Sequence, residues 1–336
     1  MIDLHSDTAT KPSAGMLAAM AAAEVGDEQL REDPTVNALQ RRVAELLGQE
    51  AALFLPTATM ANQIALQILT EPGGQLIAEE RTHVLVYEHG GPAVHSGLIM
   101  RGLRGNAGRI TPEQLRSAGP YEAPSIVVLE NSHRSSGGRV WPLEDFGAVV
   151  ETARELGLAV HLDGARIMNA AVASGVPPNQ YGRLADTVTM CFSKGLGCPT
   201  GAVLAASAAA IERAWRGKFL FGGALRQAGV IAAAMLYALD HNVDRLADDH
   251  ERAKRLAEGL ADAGLAVDPD ATETNFVAIE VPETAAAQAR IREQGVLVGV
   301  LRPGFLRAAT HLDIADADVE NAIEAIPRAL NVLARA

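Results

Sequence analysis

The chain has 336 residues, enough for more than one average domain and for a sizeable buried core. With 48% hydrophobic and 21% charged residues it reads as globular and soluble, and a net charge of −12 argues against nucleic acid or an acidic membrane as a partner. No apolar run long enough to span a membrane occurs, no charged-then-apolar leader is seen at Met1-Ile2-Asp3, and the only cysteines are Cys191 and Cys198, so a cytoplasmic protein without a disulfide framework is expected.

The first clear element is a helix opened by Asp33-Pro34, with Asp as cap and Pro in the first turn. Val36, Leu39, Val43, Leu46 and Leu47 form its apolar stripe, and Gly48 ends it. Ala51-Ala52-Leu53-Phe54-Leu55 reads as a short strand, followed by Pro56-Thr57-Ala58-Thr59-Met60-Ala61-Asn62 and a helix through about Leu69. Strand-like runs follow at Gln75–Ala78, Leu98–Arg101, Ser125–Leu129, Leu158–Leu162, Thr187–Met190 and Gly201–Ala205, with helical segments between most of them. That alternation predicts an α/β fold, a mostly parallel sheet with helices on both faces. Gly222 through Asp248 reads as one or two long helices leading to a second unit. There, Val267–Pro269, Phe276–Val281, Val296–Val300 and Leu306–Leu312 are predicted strands, and Glu283–Gln294 and Ala315–Ala334 predicted helices. The expected division is a major domain over 1–240 with an N-terminal arm, and a smaller C-terminal α/β domain over 241–336.

Three features carry chemistry. Lys194 is one of only four lysines, and it alone lies in an uncharged, turn-prone stretch, Met190-Cys191-Phe192-Ser193-Lys194-Gly195-Leu196-Gly197-Cys198-Pro199. With no evident carboxylate partner, such an amine suits Schiff-base formation with an aldehyde; the competing reading is a lysine reaching from a loop into water. Asp163 closes a buried strand in His161-Leu162-Asp163-Gly164-Ala165-Arg166, where its Asp-Gly pair predicts a turn. An acid there suits pyridoxal phosphate, whose pyridine nitrogen must be kept protonated; the competing role is the N-cap of a helix over Ala165–Ser174. Arg166 can grip a carboxylate with two prongs. The third feature is the start of the helix after Thr57, where hydroxyls and free N–H groups can make an anion cup; the competing reading, favoured for this segment alone, is an ordinary Thr N-cap, and no nucleotide-binding glycine loop occurs anywhere. The nine histidines show no metal-ligand spacing, so no metal is expected.

Together these pieces resemble the low-specificity L-threonine aldolase family of fold-type I pyridoxal-phosphate enzymes. The resemblance is carried nearly end to end by Asp3-Leu4-His5-Ser6-Asp7-Thr8, Glu32-Asp33-Pro34-Thr35, Thr57-Ala58-Thr59-Met60-Ala61-Asn62, Leu129-Glu130-Asn131-Ser132-His133, His161-Leu162-Asp163-Gly164-Ala165-Arg166, Ser193-Lys194-Gly195-Leu196-Gly197, Gly222-Gly223-Ala224-Leu225-Arg226-Gln227, Thr274-Asn275-Phe276 and Thr310-His311-Leu312-Asp313. It implies an aspartate-aminotransferase-like major domain with a seven-stranded type of sheet. It implies pyridoxal 5'-phosphate as cofactor, and cleavage of a β-hydroxy-α-amino acid such as threonine or allo-threonine to glycine and an aldehyde. It assigns the covalent lysine to Lys194, the pyridine-nitrogen acid to Asp163 and the ring-stacking histidine to His83. Phosphate ligands would be Ala58, Thr59, Ser193 and, across a subunit boundary, Arg226, with Arg166 also beside the cofactor. The substrate carboxylate would meet Ser6, Arg166 and Arg307, and His83 or an ordered water would take the β-hydroxyl proton. A shared site implies at least a dimer, and the family is typically a homotetramer, a dimer of dimers.

Some positions depart from the family pattern. His5 stands where Arg is common, Leu30-Arg31 where Tyr-Gly is frequent, and Ala58 where glycine is usual. The segment Gly119-Pro120-Tyr121-Glu122-Ala123-Pro124 lacks a histidine often found beside the β-hydroxyl. These changes predict altered stereopreference at the β-carbon or a less usual aldehyde. Competing readings are an amino-acid racemase or β-eliminating lyase on the same scaffold, a non-enzymatic cofactor binder, and an α/β interaction protein without cofactor; glycine release separates the first from an aldolase.

Overall fold

Asp33 caps the first long helix as its sequence predicts. In the computed structural model, which describes residues 1–121 and 124–330, its carboxylate accepts the Val36 N–H at 2.9 Å. Pro34–Leu47 is helical, and Gly48 ends it at φ 68°, a left-handed conformation open to glycine. Val36, Leu39, Val43 and Leu47 are buried, which fixes this helix against the main sheet.

The strands among the described residues are β1 (Ile2–Leu4), β2 (Ala51–Leu55), β3 (Gln75–Glu79), β4 (Ile99–Leu103), β5 (Ile126–Glu130), β6 (Ala159–Gly164), β7 (Thr187–Cys191), β8 (Ala202–Ala206), β9 (Phe276–Glu280), β10 (Val296–Arg302) and β11 (Phe305–Ala309). A seven-stranded sheet has the order β2-β8-β7-β6-β5-β3-β4. The pairs β3–β4, β3–β5, β5–β6 and β6–β7 are parallel, and β7–β8 and β2–β8 antiparallel. Every residue of β5, β7 and β8 is buried; β8 is an unbroken apolar run, while β5 ends in Glu130 and β7 carries Thr187 and Thr189. A second sheet, β1-β10-β11-β9, has its own core of Leu4, Leu256, Leu260, Ile279, Leu306 and Ile326. Fully burying one such side chain stabilises the fold by about 1.5–3 kcal/mol.

Most predicted strands are present with ends moved by one or two residues, as β4 and β10 show. Three expectations are corrected. Val267–Pro269 is not a strand: Asp268 accepts the Asp270 N–H at 3.0 Å and Pro269–Ala271 forms a 3₁₀ turn. The strand expected over Leu306–Leu312 ends at Ala309, because His311 turns to bond the Asp3 carbonyl at 2.8 Å and Ile314 N–H closes a turn on the His311 carbonyl. The helices expected from Gly222 begin only at Gly229, as Gly229–His241 and Leu246–Asp262, since the stretch before them is non-helical around Gly222 at φ 71°. The last helix covers Asp316–Ala329; residues 331–334 of that expectation, and Glu122 and Ala123 of the Gly119–Pro124 segment, lie outside the described residues. β1 pairs in parallel with β10, which carries Ser6 and Asp7 from the second sheet toward the first. No helix among the described residues is long and apolar enough to cross a membrane.

Candidate active site

The carboxyl ends of β5, β6 and β7 lie side by side, and register sets Glu130 beside Asp163 and Asp163 beside Thr189. β7 runs through Phe192 and Ser193 into the turn that carries Lys194. Backbone bonds hold this turn: the Lys194 carbonyl accepts from the Thr10 hydroxyl at 2.8 Å and from the Gly197 N–H at 2.8 Å. Asn242 Nδ2 donates to the Leu196 carbonyl at 2.8 Å. Gly197, at φ 78°, takes the left-handed conformation the turn requires. The Lys194 side chain is half-buried, and its amine makes no ion pair or hydrogen bond among the described residues.

Asp163 lies within β6 rather than in a turn, and the helix it was expected to cap starts at Ile167 behind Arg166. Its carboxylate accepts Asn62 Nδ2 at 2.9 Å and the Ala165 N–H at 3.1 Å. Burial favours its neutral form. Interaction with His83, Lys194 and His161, and the Ala165 N–H, outweigh this and hold the carboxyl below the usual carboxylate range. His83 opens the short helix His83–Val86; its N–H donates to Glu130 Oε2 at 2.7 Å, and its ring Nδ1 lies 2.9 Å from Glu88 Oε1.

A buried polar network that sequence reasoning missed supports both residues. Asn62 Nδ2 donates to Glu88 Oε1 at 2.8 Å as well as to Asp163, and Gln63 Nε2 donates to Glu88 Oε2 at 2.6 Å. With its nitrogen facing two carboxylates, Asn62 must present Oδ1 to His161 Nε2, 3.0 Å away. His161 Nε2 therefore carries the proton, and Nδ1 accepts the Thr187 hydroxyl at 2.7 Å. Burial pulls the His161 pKa down to about 4, consistent with a neutral ring. The signals were present in sequence: Asn62-Gln63 interrupts an apolar helix and His161 an apolar strand. His83, Glu88 and Asp163 also bring ligand-type atoms within 4.8 Å of one another, a cluster that spacing did not predict. Those atoms are already joined through Asn62 and the His83–Glu88 bond.

At the anion cup, Thr57 caps the helix Ala58–Leu69 by accepting the Met60 N–H at 3.2 Å. The N–H groups of Ala58 and Thr59 stay at the helix N-terminus, with Thr59 exposed. Ser193 is half-buried, its hydroxyl 3.5 Å from Cys191 Sγ. Arg226 stands apart: its side chain is 61% exposed and tied to Asp27 at 2.8 Å, so one chain does not bring it to the cup by any bond among the described residues.

Ser6 is buried and caps a 3₁₀ turn, its oxygen accepting from the Thr8 N–H at 3.3 Å. The two-pronged grip of Arg166 is on Asp7, from Nε and Nη2 at 2.6 Å each, leaving Nη1 for any further anion. Burial favours a neutral Asp7, but Arg166, Arg307 and Lys194 override it and hold the carboxyl well below the usual range. Arg307 donates Nη2 to the His5 carbonyl at 2.7 Å, while its Nε and Nη1 are buried without a protein acceptor. Burial pushes its pKa down to about 10, Asp7 opposing and Arg134 and Arg166 adding to the fall.

The donor set fits pyridoxal phosphate and an amino acid. It offers an unpaired amine, a carboxylate kept ionised by its surroundings, a helix N-terminus for a phosphate, and orphaned guanidinium N–H groups for a carboxylate. Comparison with known proteins agrees. Residues 3–283 match the family model described as beta-eliminating lyase. The low specificity L-threonine aldolase of Escherichia coli K12 is 40% identical over 325 residues, covering 94% of this chain and 95% of that protein. The low-specificity L-threonine aldolase 1 of Arabidopsis thaliana is 36% identical over 344 residues, covering 98% and 96%. Among solved structures, the threonine aldolase of Leishmania major superposes with a TM-score of 0.85 at 19% identity, covering 98% of this chain and 99% of that one.

Proposed function

The chain belongs to the beta-eliminating lyase family and, within it, to the low-specificity L-threonine aldolases, and from that premise we propose how its residues divide the work. It is a pyridoxal-phosphate-dependent lyase that cleaves L-threonine, L-allo-threonine or a related β-hydroxy-α-amino acid to glycine and an aldehyde. When bound, the cofactor supplies an aldehyde for an amine to capture and a ring that accepts the electron pair of the breaking bond.

The observation that carries the assignment of roles is the unpaired Lys194 amine on a backbone-pinned turn, beside a buried, ionised Asp163. Lys194 holds the cofactor covalently and exchanges protons with the substrate's α-carbon. Asp163, aimed by Asn62 and Ala165, holds a proton on the pyridine nitrogen. His83, held by Glu88, covers the ring. The N–H groups of Ala58 and Thr59 and the hydroxyl of Ser193 receive the phosphate. Arg307 takes the substrate carboxylate with its free N–H groups, assisted by Ser6 and by Arg166, which Asp7 keeps in place. His83 or an ordered water removes the β-hydroxyl proton; such assistance is worth ~10²–10⁴-fold in rate.

Arg226 acts on the phosphate of a neighbouring subunit. Its exposure in the single chain supports this, as do the exposed apolar side chains of Phe219 and Leu220 nearby in sequence. The assembly is a homotetramer, a dimer of dimers, in the cytoplasm. The cofactor site belongs to a major domain over 1–240, and the smaller domain over 241–336 contributes Arg307. Light scattering of the purified protein tests the assembly; a monomer would remove the shared site. For the reaction, cofactor-loaded protein is incubated with L-threonine, L-allo-threonine and the phenylserine stereoisomers while glycine and aldehyde are assayed. Both products are expected in equal amounts, and absence of glycine with every substrate sinks the reading.

A further inference from the structure

Arg134 is a cation that the roles above leave unused. It opens the 3₁₀ turn Arg134–Ser136 beyond the carboxyl end of β5, on the sheet edge that also carries Asp163 and Lys194. Its guanidinium lies 4.2 Å from the centre of the Tyr87 ring, and that ring lies 5.5 Å from the ring of His83. Arg134, Tyr87 and His83 therefore stand in succession, and His83 brings a ring nitrogen within 4.8 Å of an Asp163 carboxylate oxygen. Arg134 is also near enough to Arg307 to lower its pKa, and the Tyr87 phenol acts on Arg307 too.

The charges around Arg134 do not neutralise it. Its guanidinium forms no ion pair among the described residues, and Nη1 is buried without a protein acceptor. The carboxylates of this edge are engaged elsewhere. Asp7 is gripped by Arg166, and Asp163 and Glu88 share Asn62. Glu130 accepts the backbone N–H groups of His83 and Arg134, each at 2.7 Å, and faces His133. Two guanidinium groups close enough to interact, Arg307 and Arg134, thus each keep buried N–H donors without a protein acceptor, whereas a neutral β-hydroxy amino acid brings a single carboxylate.

We propose that Arg134 is a specificity-determining residue that binds a second anionic group, carried on the β-carbon of the substrate, so that the enzyme favours acidic β-hydroxy-α-amino acids such as 3-hydroxyaspartate. This rests on the aldolase reading. The Cα–Cβ bond breaks, the β-hydroxyl loses its proton as its oxygen becomes a carbonyl, and Cα takes a proton. The products are glycine and glyoxylate, and no oxidant or reductant is needed. The Arg134 contact reaches the carboxylate that leaves with the aldehyde, while Arg307 keeps the one that leaves with glycine.

The test compares kcat/KM of the cofactor-loaded enzyme for 3-hydroxyaspartate and L-threonine, in wild type, Arg134→Gln and Arg134→Lys. Wild type is expected to favour 3-hydroxyaspartate. In Arg134→Gln the ratio of the two values should fall about 10–100-fold, the loss expected of one charge-assisted contact. Arg134→Lys should restore part of it. In calorimetry, L-aspartate should bind about tenfold more weakly to Arg134→Gln while glycine binding is little changed, a readout independent of turnover and open to whichever variant folds. A ratio that does not move, or an equal fall for both substrates, overturns the proposal, the latter because it assigns Arg134 to the shared α-carboxylate. Failure to release glycine from any substrate strikes the aldolase reading itself.

Discussion

Lys194, on the turn after β7, and Lys218, in the helix Ala208–Leu220, sit in two regions that hold an amine in opposite ways. Lys218 is wholly buried; its Nζ donates to the Phe54 carbonyl at 2.6 Å and pairs with Glu28, which also accepts the Leu225 N–H at 2.8 Å. Everything around it grips the end of the side chain. Around Lys194 the bonds grip the backbone instead, through Thr10 and Gly197, and the amine is left unclaimed. The pinned amine of Lys218, whose pKa burial pulls down to about 7, ties a helix to β2. A pinned turn with a free amine is what a reagent at a fixed address requires.

The sharpest way to break this contrast is Lys194→Ala. Turnover should fall by about 10⁴–10⁶-fold, no pyridoxyl group should be fixed by borohydride, and the circular dichroism spectrum should stay native. Substantial residual turnover would show that the free amine is not the reagent. Lys218→Ala should do the reverse. It leaves Glu28 buried and unpaired, at a cost of about 3–5 kcal/mol in urea unfolding. Lys218→Met combined with Glu28→Gln should recover most of that stability, and if it does not, the pair is more than a mutual neutralisation. Asp163→Asn retains bulk but not charge, and kcat should drop about 10²–10³-fold with little loss of stability; unaltered kcat would remove the carboxylate from the chemistry.

The smallest expected effect is a pH dependence. His161, pulled to about 4 by burial, and His250, also at about 4 by burial and the nearby Arg245, titrate below the ordinary value of 6.5. The unfolded chain therefore binds more protons, and this contribution is complete above pH ~6.5 and lost as pH falls toward the folded value. Asp249, raised to about 6 by burial against the pull of Arg245, works the other way over the same window: it favours the fold at low pH and loses that contribution as pH rises through about 6. His161→Gln should remove about 2 kcal/mol of the stability lost between pH 7 and 5, seen as a shallower pH dependence of the urea midpoint. An unchanged slope would mean that His161 is not held neutral.

Local patterns in the sequence sufficed for the elements. The Asp33-Pro34 cap, the Gly48 stop, Ala51–Leu55, the Thr57 cap and the strand leading to Lys194 all depend on residues within a few positions of each other. Boundaries drifted where a distant partner intervenes, as at His311, which turns away to reach Asp3. The two lysines illustrate the harder case. In the one-dimensional text Lys218 looks like an ordinary helix charge beside Arg216, because its partners, Phe54 and Glu28, lie far away in sequence.

By itself the sequence determined the α/β alternation, the helix start after Thr57 and the strands that lead to Asp163 and Lys194, since propensity, capping and apolar periodicity act over a few residues. Only the tertiary structure decided which polar groups share a buried space. It set Asp7 on Arg166 across 159 positions, Asn62 between Asp163 and Glu88, and Arg134 over Tyr87 within reach of Arg307. The reason is that charge and hydrogen bonding in a low-dielectric interior depend on distance in space, which packing of the sheet edge fixes and chain order does not.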